Sequence, residues 1–513
     1  MDNIKESKEY KLAKEWEMAV NSFSFNPKRF AAAIPDMHPT LQQSLYRLFK
    51  ECIIVMADET RRYDDRNRAS HEEAKITLTE ITMKQVCNPK LAMTPPMGWN
   101  SWDCFGLDVN EAEIKENAKY MATHLKEYGW EYIVVDLGWY APEVTTTNYK
   151  KKNIPMITDE FGRLIPVEER FPSSAGGKGF KPLADYIHSL GLKFGIHIMR
   201  GMPWIAAENK QVIKGTDITC DQVAEENDQC LWYGSMYGID CTKEGAQAYY
   251  DSLIELYTSW DVDFIKADDM GTWDGEGLNS PLRTDELEAL AASIEKFGNK
   301  IVLSVSPGAA YIGNAYHLSR HAHMWRISCD FWDNWDALKR QFPRCAAWSK
   351  RKVAGHWPDA DMLPMGKIGI RGEVGEARNT NFTYDEQITL MSLWCIFRSP
   401  LMFGGDLPQT DTTTLNLITN KEAIELNQHS KNNKQIYADE EMIVWTADHE
   451  NDDKQYIALF NLGETAVDRA KTEPFVQDML PALDVWNNKL IERGNEITIV
   501  PHGTLLLVKE NSK

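Results

Sequence analysis

The run Phe264-Ile-Lys-Ala-Asp-Asp-Met reads as a strand ending in two carboxylates. Side chains alternate along a strand, so Lys266 and Asp268 point the same way. An ammonium two positions from a carboxylate favours its ionised form, which is what a nucleophile needs. A structural ion pair is the competing reading of this segment alone. A second acid, Asp330, follows the run Met324-Trp-Arg-Ile-Ser-Cys, with Arg326 inside it. Two carboxyl groups facing one pocket can break a glycosidic bond. One attacks the anomeric carbon; the other protonates the leaving oxygen and later deprotonates water. Carboxyls about 5–5.5 Å apart give retention of configuration.

Such a pair must be held by rigid elements that converge on one end. From about residue 90, short β-rich runs alternate with amphipathic helical stretches. The runs are Met97–Trp102, Tyr132–Asp136, Leu192–His197, Phe264–Asp268, Ile301–Ser306, Met324–Ser328, a short one near His356, and Leu401–Phe403. Eight β–α repeats predict a (β/α)₈ TIM barrel over residues 86–430. No glycine-rich phosphate turn follows the first strand, which counts against an open doubly wound sheet. Polar residues collect at the strand ends: Asp136, His197, Asp268, Ser306, Asp330 and Asp359. Barrel active sites form at that end. The long excursions 140–180 and 198–243 also leave from strand ends and should wall the pocket.

Two flanking regions read differently. Residues 1–85 form an expected N-terminal helical extension, with Leu41, Leu45, Leu48, Phe49, Cys52, Val55 and Met56 at helical spacing. This extension is expected to pack on the main domain or to make a homo-oligomer contact, and to supply no chemistry. Residues 431–513 lose the helical period and become strand-like, as in EEMIVWTAD and QYIALFNLG, predicting a C-terminal antiparallel β-sandwich.

Composition narrows the partners. The net charge of −20 and the absence of a Lys/Arg-rich block argue against nucleic acid and suit a neutral substrate such as a carbohydrate. The opening MDNIKESKEYK lacks an apolar core, and no apolar run is long enough to span a membrane. Nine scattered cysteines without a CxxC pair fit core filling in a reduced, cytoplasmic protein.

Several motifs then coincide. Met97-Gly-Trp-Asn-Ser-Trp, Asp136 with Trp139, Lys266-Ala-Asp268, Arg326-Ile-Ser-Cys-Asp330, Trp357-Pro-Asp-Ala-Asp-Met and Ser399-Pro-Leu-Met-Phe-Gly-Gly-Asp occur in that order. Together they resemble the α-galactosidase/α-N-acetylgalactosaminidase family, glycoside hydrolase family 27, from about residue 93 to the end. The resemblance implies a barrel with a C-terminal β domain, a retaining mechanism on terminal α-galactosides, and no metal or cofactor. It places the nucleophile on Asp268 and the acid/base on Asp330. It places sugar contacts on Trp99, Asp136, Trp139, Lys266, Arg326 and Asp361, with His197 at a strand-three aromatic position and Ser306 at the position that selects the 2-substituent. Three departures stand out. The family's Asp-Asp pair after strand two is Asp136-Leu137; the strand-five motif is Val305-Ser306-Pro307, without its Trp; and the N-terminal extension has no counterpart. A small residue at Ser306 leaves room for a 2-acetamido group, so α-N-acetylgalactosaminide or a related pyranoside is the alternative substrate.

Readings from other classes are weaker. A metal-dependent barrel hydrolase would use the His-x-His pair His321 and His323, but these precede strand six and should lie toward the opposite end of the barrel. A Schiff-base aldolase would need Lys266 deprotonated, which a neighbouring acid opposes. A non-catalytic sugar-binding protein would have no need of both Asp268 and Asp330.

Overall fold

A computed structural model describes residues 85–270, 283–306 and 308–510. The expected N-terminal extension, including the Leu41 to Met56 stripe, falls outside the described residues but for its last position. Eight parallel strands follow one another around a sheet: β1 (Met97–Asn100), β2 (Tyr132–Val135), β3 (Lys193–Met199), β4 (Phe264–Asp268), β5 (Val302–Val305), β6 (Met324–Arg326), β7 (Trp357–Asp359) and β8 (Leu401–Phe403). The sheet closes twice. Strand β8 pairs with β1, and a parallel bridge joins Leu363, just beyond β7, to Phe403. The Leu363 amide donates to the Met402 carbonyl at 2.8 Å. The expected (β/α)₈ barrel is therefore the observed one.

The helices cover the barrel because their apolar stripes need burial. They are α1 (Glu111–His124), α2 (Lys181–Ser189), α3 (Ala246–Ser259), α4 (Thr284–Lys296), α5 (Ala315–His321), α6 (Trp335–Trp348), α7 (Tyr384–Phe397), α8 (Thr412–Ile418) and α9 (Lys421–His429). Local sequence starts several of them. Asn110 and Glu113 form a reciprocal capping box on α1, and Thr383 and Glu386 form one on α7. Helix α7 is buried on all sides from Glu386 to Phe397, as expected of a helix without a polar face.

What covers α7 is the C-terminal sheet. Strands β9 (Ser430–Ala438), β10 (Met442–His449), β11 (Lys454–Asn461), β12 (Ala482–Asp484), β13 (Lys489–Ile491) and β14 (Thr504–Glu510) pair antiparallel in the order β9-β10-β11-β14-β12-β13. One face carries Trp445 and Phe460, which pack edge-on against Phe397 of α7 and Phe342 of α6. The opposite layer is the helix Arg469–Val476 with the bridged segments at Val467 and Ile499. The sheet thus buttresses α7, and α7 buttresses the site: the Trp394 indole N–H donates to the Asp361 carbonyl at 2.8 Å.

Candidate active site

The C-terminal ends of the barrel strands surround a cavity of about 280 Å³. Asp136, Lys266, Asp268, Arg326, Asp330 and Asp361 all line it. Six of the ten site residues expected from the sequence therefore share one pocket.

Lys266 donates from Nζ to Asp136 Oδ2 at 2.8 Å, and the Asn100 amide donates to the same oxygen at 2.6 Å. Burial alone would raise the Asp136 pKa, but Lys266 foremost, then His197 and the Leu137 amide, bring it down to about 2. The lysine expected beside Asp268 is thus hydrogen-bonded to Asp136 instead. Asp268 has its own donors. His197 Nε2 lies 2.8 Å from Oδ2, and the Asp269 amide donates to Oδ1 at 2.6 Å. His197 Nδ1 is buried without a hydrogen-bond partner among the described residues, so the proton belongs on Nε2, where a carboxylate accepts it. Asp268 is thereby oriented by two donors and lines the pocket.

Asp330 is different. Its side chain is 50% exposed, and Arg326 donates to it at 3.2 Å. Arg326 also grips Asp361 at 2.6 Å. Asp361 adopts a left-handed backbone, φ 91°, which turns its carboxylate back onto the amides of Phe331 and Met362. Burial works against its charge, and Asp330 and Asp359 raise its pKa further; Arg326 is the main counterweight. Next to Asp268 in the chain, Asp269 bonds Arg200 at 2.8 Å, and Arg200 also bonds Glu286 at 2.7 Å and Asp228 at 3.0 Å. It ties β3, β4, α4 and the 198–243 excursion together at the residue after Asp268.

A family profile described as Alpha galactosidase A matches residues 94–243 and 207–429. The chain belongs to glycoside hydrolase family 27. A crystal structure of a family 27 β-L-arabinopyranosidase from Geobacillus stearothermophilus is 45% identical, with a TM-score of 0.77 over 83% of this chain and 98% of that one. A candidate α-N-acetylgalactosaminidase from Bacillus halodurans is 43% identical, with a TM-score of 0.71 over 82% of this chain and 97% of that one. Among curated proteins, Alpha-galactosidase 2 of Arabidopsis thaliana is 26% identical over 83% of this chain and 93% of its own length. This family 27 member is accordingly a glycoside hydrolase.

Four expected contact residues lie elsewhere. Trp99 is fully buried outside the pocket, its indole N–H on the Gly405 carbonyl at 2.7 Å. Strand alternation explains this: Asn100 faces inward to Asp136, so Trp99 faces the helices. Trp139 sits in an aromatic cluster with Tyr140, Phe180 and Trp260 and donates to the His197 carbonyl at 2.7 Å. It supports β3 from outside. His197 acts on Asp268 without lining the cavity. Ser306 faces a void of about 20 Å³ below the floor, shared with Lys266, Arg326 and Asp361.

Sequence reasoning missed other lining residues. Trp102 and Asp103 come from the turn after β1; Tyr149 and Lys150, from the first excursion; Trp232, from the second; Glu373, from the segment between β7 and α7. Tyr149 and Lys150 both donate to Glu373 Oε1 at 2.7 Å, closing one wall. Trp102 opens the short helix Trp102–Phe105, so the alternation of the strand before it does not set its direction. Asp103 is buried, and burial with the nearby Asp361 charge pushes its pKa well above the carboxylate range. Gly404 makes room for it: a Cβ there would lie 2.0 Å from Asp103 Oδ2.

The alternative zinc pair also resolves. His323 Nδ1 accepts from the Leu303 amide at 3.0 Å, and its Nε2 meets the Asn88 carbonyl at 3.0 Å. Both nitrogens are engaged structurally, away from the pocket.

Proposed function

We propose that this enzyme is a retaining exo-pyranosidase for galacto-configured sugars and that it favours β-L-arabinopyranosides over α-D-galactosides. Asp268 attacks the anomeric carbon from within the pocket, where His197 and the Asp269 amide hold it. Asp330, half exposed at the same cavity, protonates the departing oxygen and then takes a proton from the incoming water. Asp136, Lys266, Arg326 and Asp361 supply acceptors and donors for the ring hydroxyls.

The choice of sugar rests on Leu137. It lines the pocket next to Asp136, where the family pattern carries a second Asp. β-L-Arabinopyranose has the ring configuration of α-D-galactopyranose but bears hydrogen in place of the hydroxymethyl group. An isobutyl side chain fills space and leaves a hydroxyl unpaired, which disfavours the hydroxymethyl sugar. The 45% identical Geobacillus β-L-arabinopyranosidase supports the same reading. The 2-acetamido alternative is less favoured, because Ser306 lies under the floor and not in the carboxylate cavity. Free thiols at Cys104, Cys220, Cys230, Cys241, Cys345 and Cys395 suit action in the cytoplasm.

The test is kcat/KM on nitrophenyl β-L-arabinopyranoside, α-D-galactopyranoside and α-N-acetylgalactosaminide. The arabinopyranoside should lead. A leading α-D-galactoside would overturn the role given to Leu137, and a leading acetamido sugar would restore the alternative.

A further inference from the structure

A second cluster of chemistry-bearing side chains lies outside the pocket. Glu288 on α4, and His317 and His321 one turn apart on α5, each offer a ligand atom, and these atoms lie within 4.8 Å of one another. None of the three lines the carboxylate cavity. The histidine rings lie close, 4.3 Å between centroids and tilted by 33°. His317 Nε2 lies 2.9 Å from Glu288 Oε1. His321 Nδ1 lies 2.8 Å from the His317 carbonyl, which fixes its proton on Nδ1 and leaves the Nε2 lone pair available. His317 Nδ1 is buried with no hydrogen-bond partner among the described residues.

We infer that Glu288, His317 and His321 form a binding site for a zinc-class divalent cation, clamping α4 to α5. Two ligands on a tetrahedral zinc ion stand about 3.4 Å apart, for bonds of about 2.1 Å. The cluster's ligand atoms, within 4.8 Å of one another, must draw together to reach that spacing. Two imidazoles and one carboxylate suit zinc, cobalt or nickel and not magnesium or calcium, which prefer oxygen alone. Glu288 is the least buried member, its side chain 42% exposed. The ion would be structural with respect to hydrolysis. It would fasten the helix that follows the nucleophile strand to its neighbour.

The experiment titrates tag-free, full-length enzyme with Co²⁺ and then displaces it with Zn²⁺, following the visible absorption of tetrahedral cobalt. One Co²⁺ per chain should bind, with Zn²⁺ displacing it. E288A and H317A should each weaken binding about tenfold or more while leaving kcat/KM unchanged. Zinc should raise the melting temperature of the parent by about 2 °C and of neither variant. Circular dichroism confirms that the variants are folded, and exposed Glu288 gives the safer substitution. No tetrahedral cobalt signal in the parent would overturn the site. So would a signal that survives both substitutions, since the ion would then sit elsewhere.

Discussion

His197 Nε2 lies 2.8 Å from Asp268 Oδ2, and neither residue is exposed by more than a few per cent. A buried imidazole that donates to the proposed nucleophile should fix which oxygen points at the anomeric carbon. His197→Ala should lower kcat about a hundredfold with little change in KM, because near-attack geometry is lost while the sugar contacts remain. Steady-state kinetics with a parallel thermal melt checks this. An unchanged kcat would remove His197 from the mechanism.

Asp136 is held at about 2, below its ordinary 3.8. Between those values the unfolded chain binds the proton and the folded chain does not. The stabilisation is therefore complete above about pH 4 and is lost as pH falls toward 2, amounting to about 2 kcal/mol. Urea unfolding of the parent and Asp136→Asn across acid pH should show the parent's steeper loss. Equal slopes would contradict the Lys266–Asp136 account.

Leu137→Asp should move kcat/KM toward the α-D-galactoside relative to the β-L-arabinopyranoside by about 10-fold or more. A ratio that does not move would show that the hydroxymethyl position faces another wall.

Arg200 is buried among Asp269, Glu286 and Asp228. Arg200→Met should strand these charges and cost about 3–5 kcal/mol of stability. Arg200→Lys should lose less, but should still depress kcat, since an ammonium cannot hold Asp269, Glu286 and Asp228 at once as the guanidinium does. Denaturant melts and kinetics of both variants separate the two effects.

The barrel was legible because parallel strands are buried on both faces and read as short apolar runs. Phe264–Asp268 and Leu401–Phe403 keep the same bounds in sequence and structure. Asp136, Asp268 and Arg326 were legible because a strand sets the direction of its side chains. The failures fall where that rule was misapplied or gives out. Trp99 has the wrong parity, and Trp139 lies beyond its strand, where turn geometry aims it outward. Glu373 meets Tyr149 across 224 residues, a contact that only tertiary closure of two loops creates. Lys266 points inward as read, yet the barrel's curvature brings the end of β2 closer to its ammonium than the end of its own strand.

Asp330→Ala should cut kcat/KM for alkyl pyranosides about 10²–10⁴-fold while sparing kcat/KM, but not kcat, for substrates whose leaving group needs no proton, because the second step still lacks its base. Added azide should restore turnover of the activated substrate, with a glycosyl azide as product. Equal losses on both substrate types would place the general acid elsewhere.

The central claim is that Asp268 forms a covalent bond to the sugar. Incubation with a 2-deoxy-2-fluoro pyranosyl donor of the preferred configuration, followed by peptide mass spectrometry, tests it directly. One glycosyl unit on the peptide containing Asp268, absent in Asp268→Ala, is the predicted result. No adduct, together with a first-formed product of inverted anomeric configuration, would contradict it.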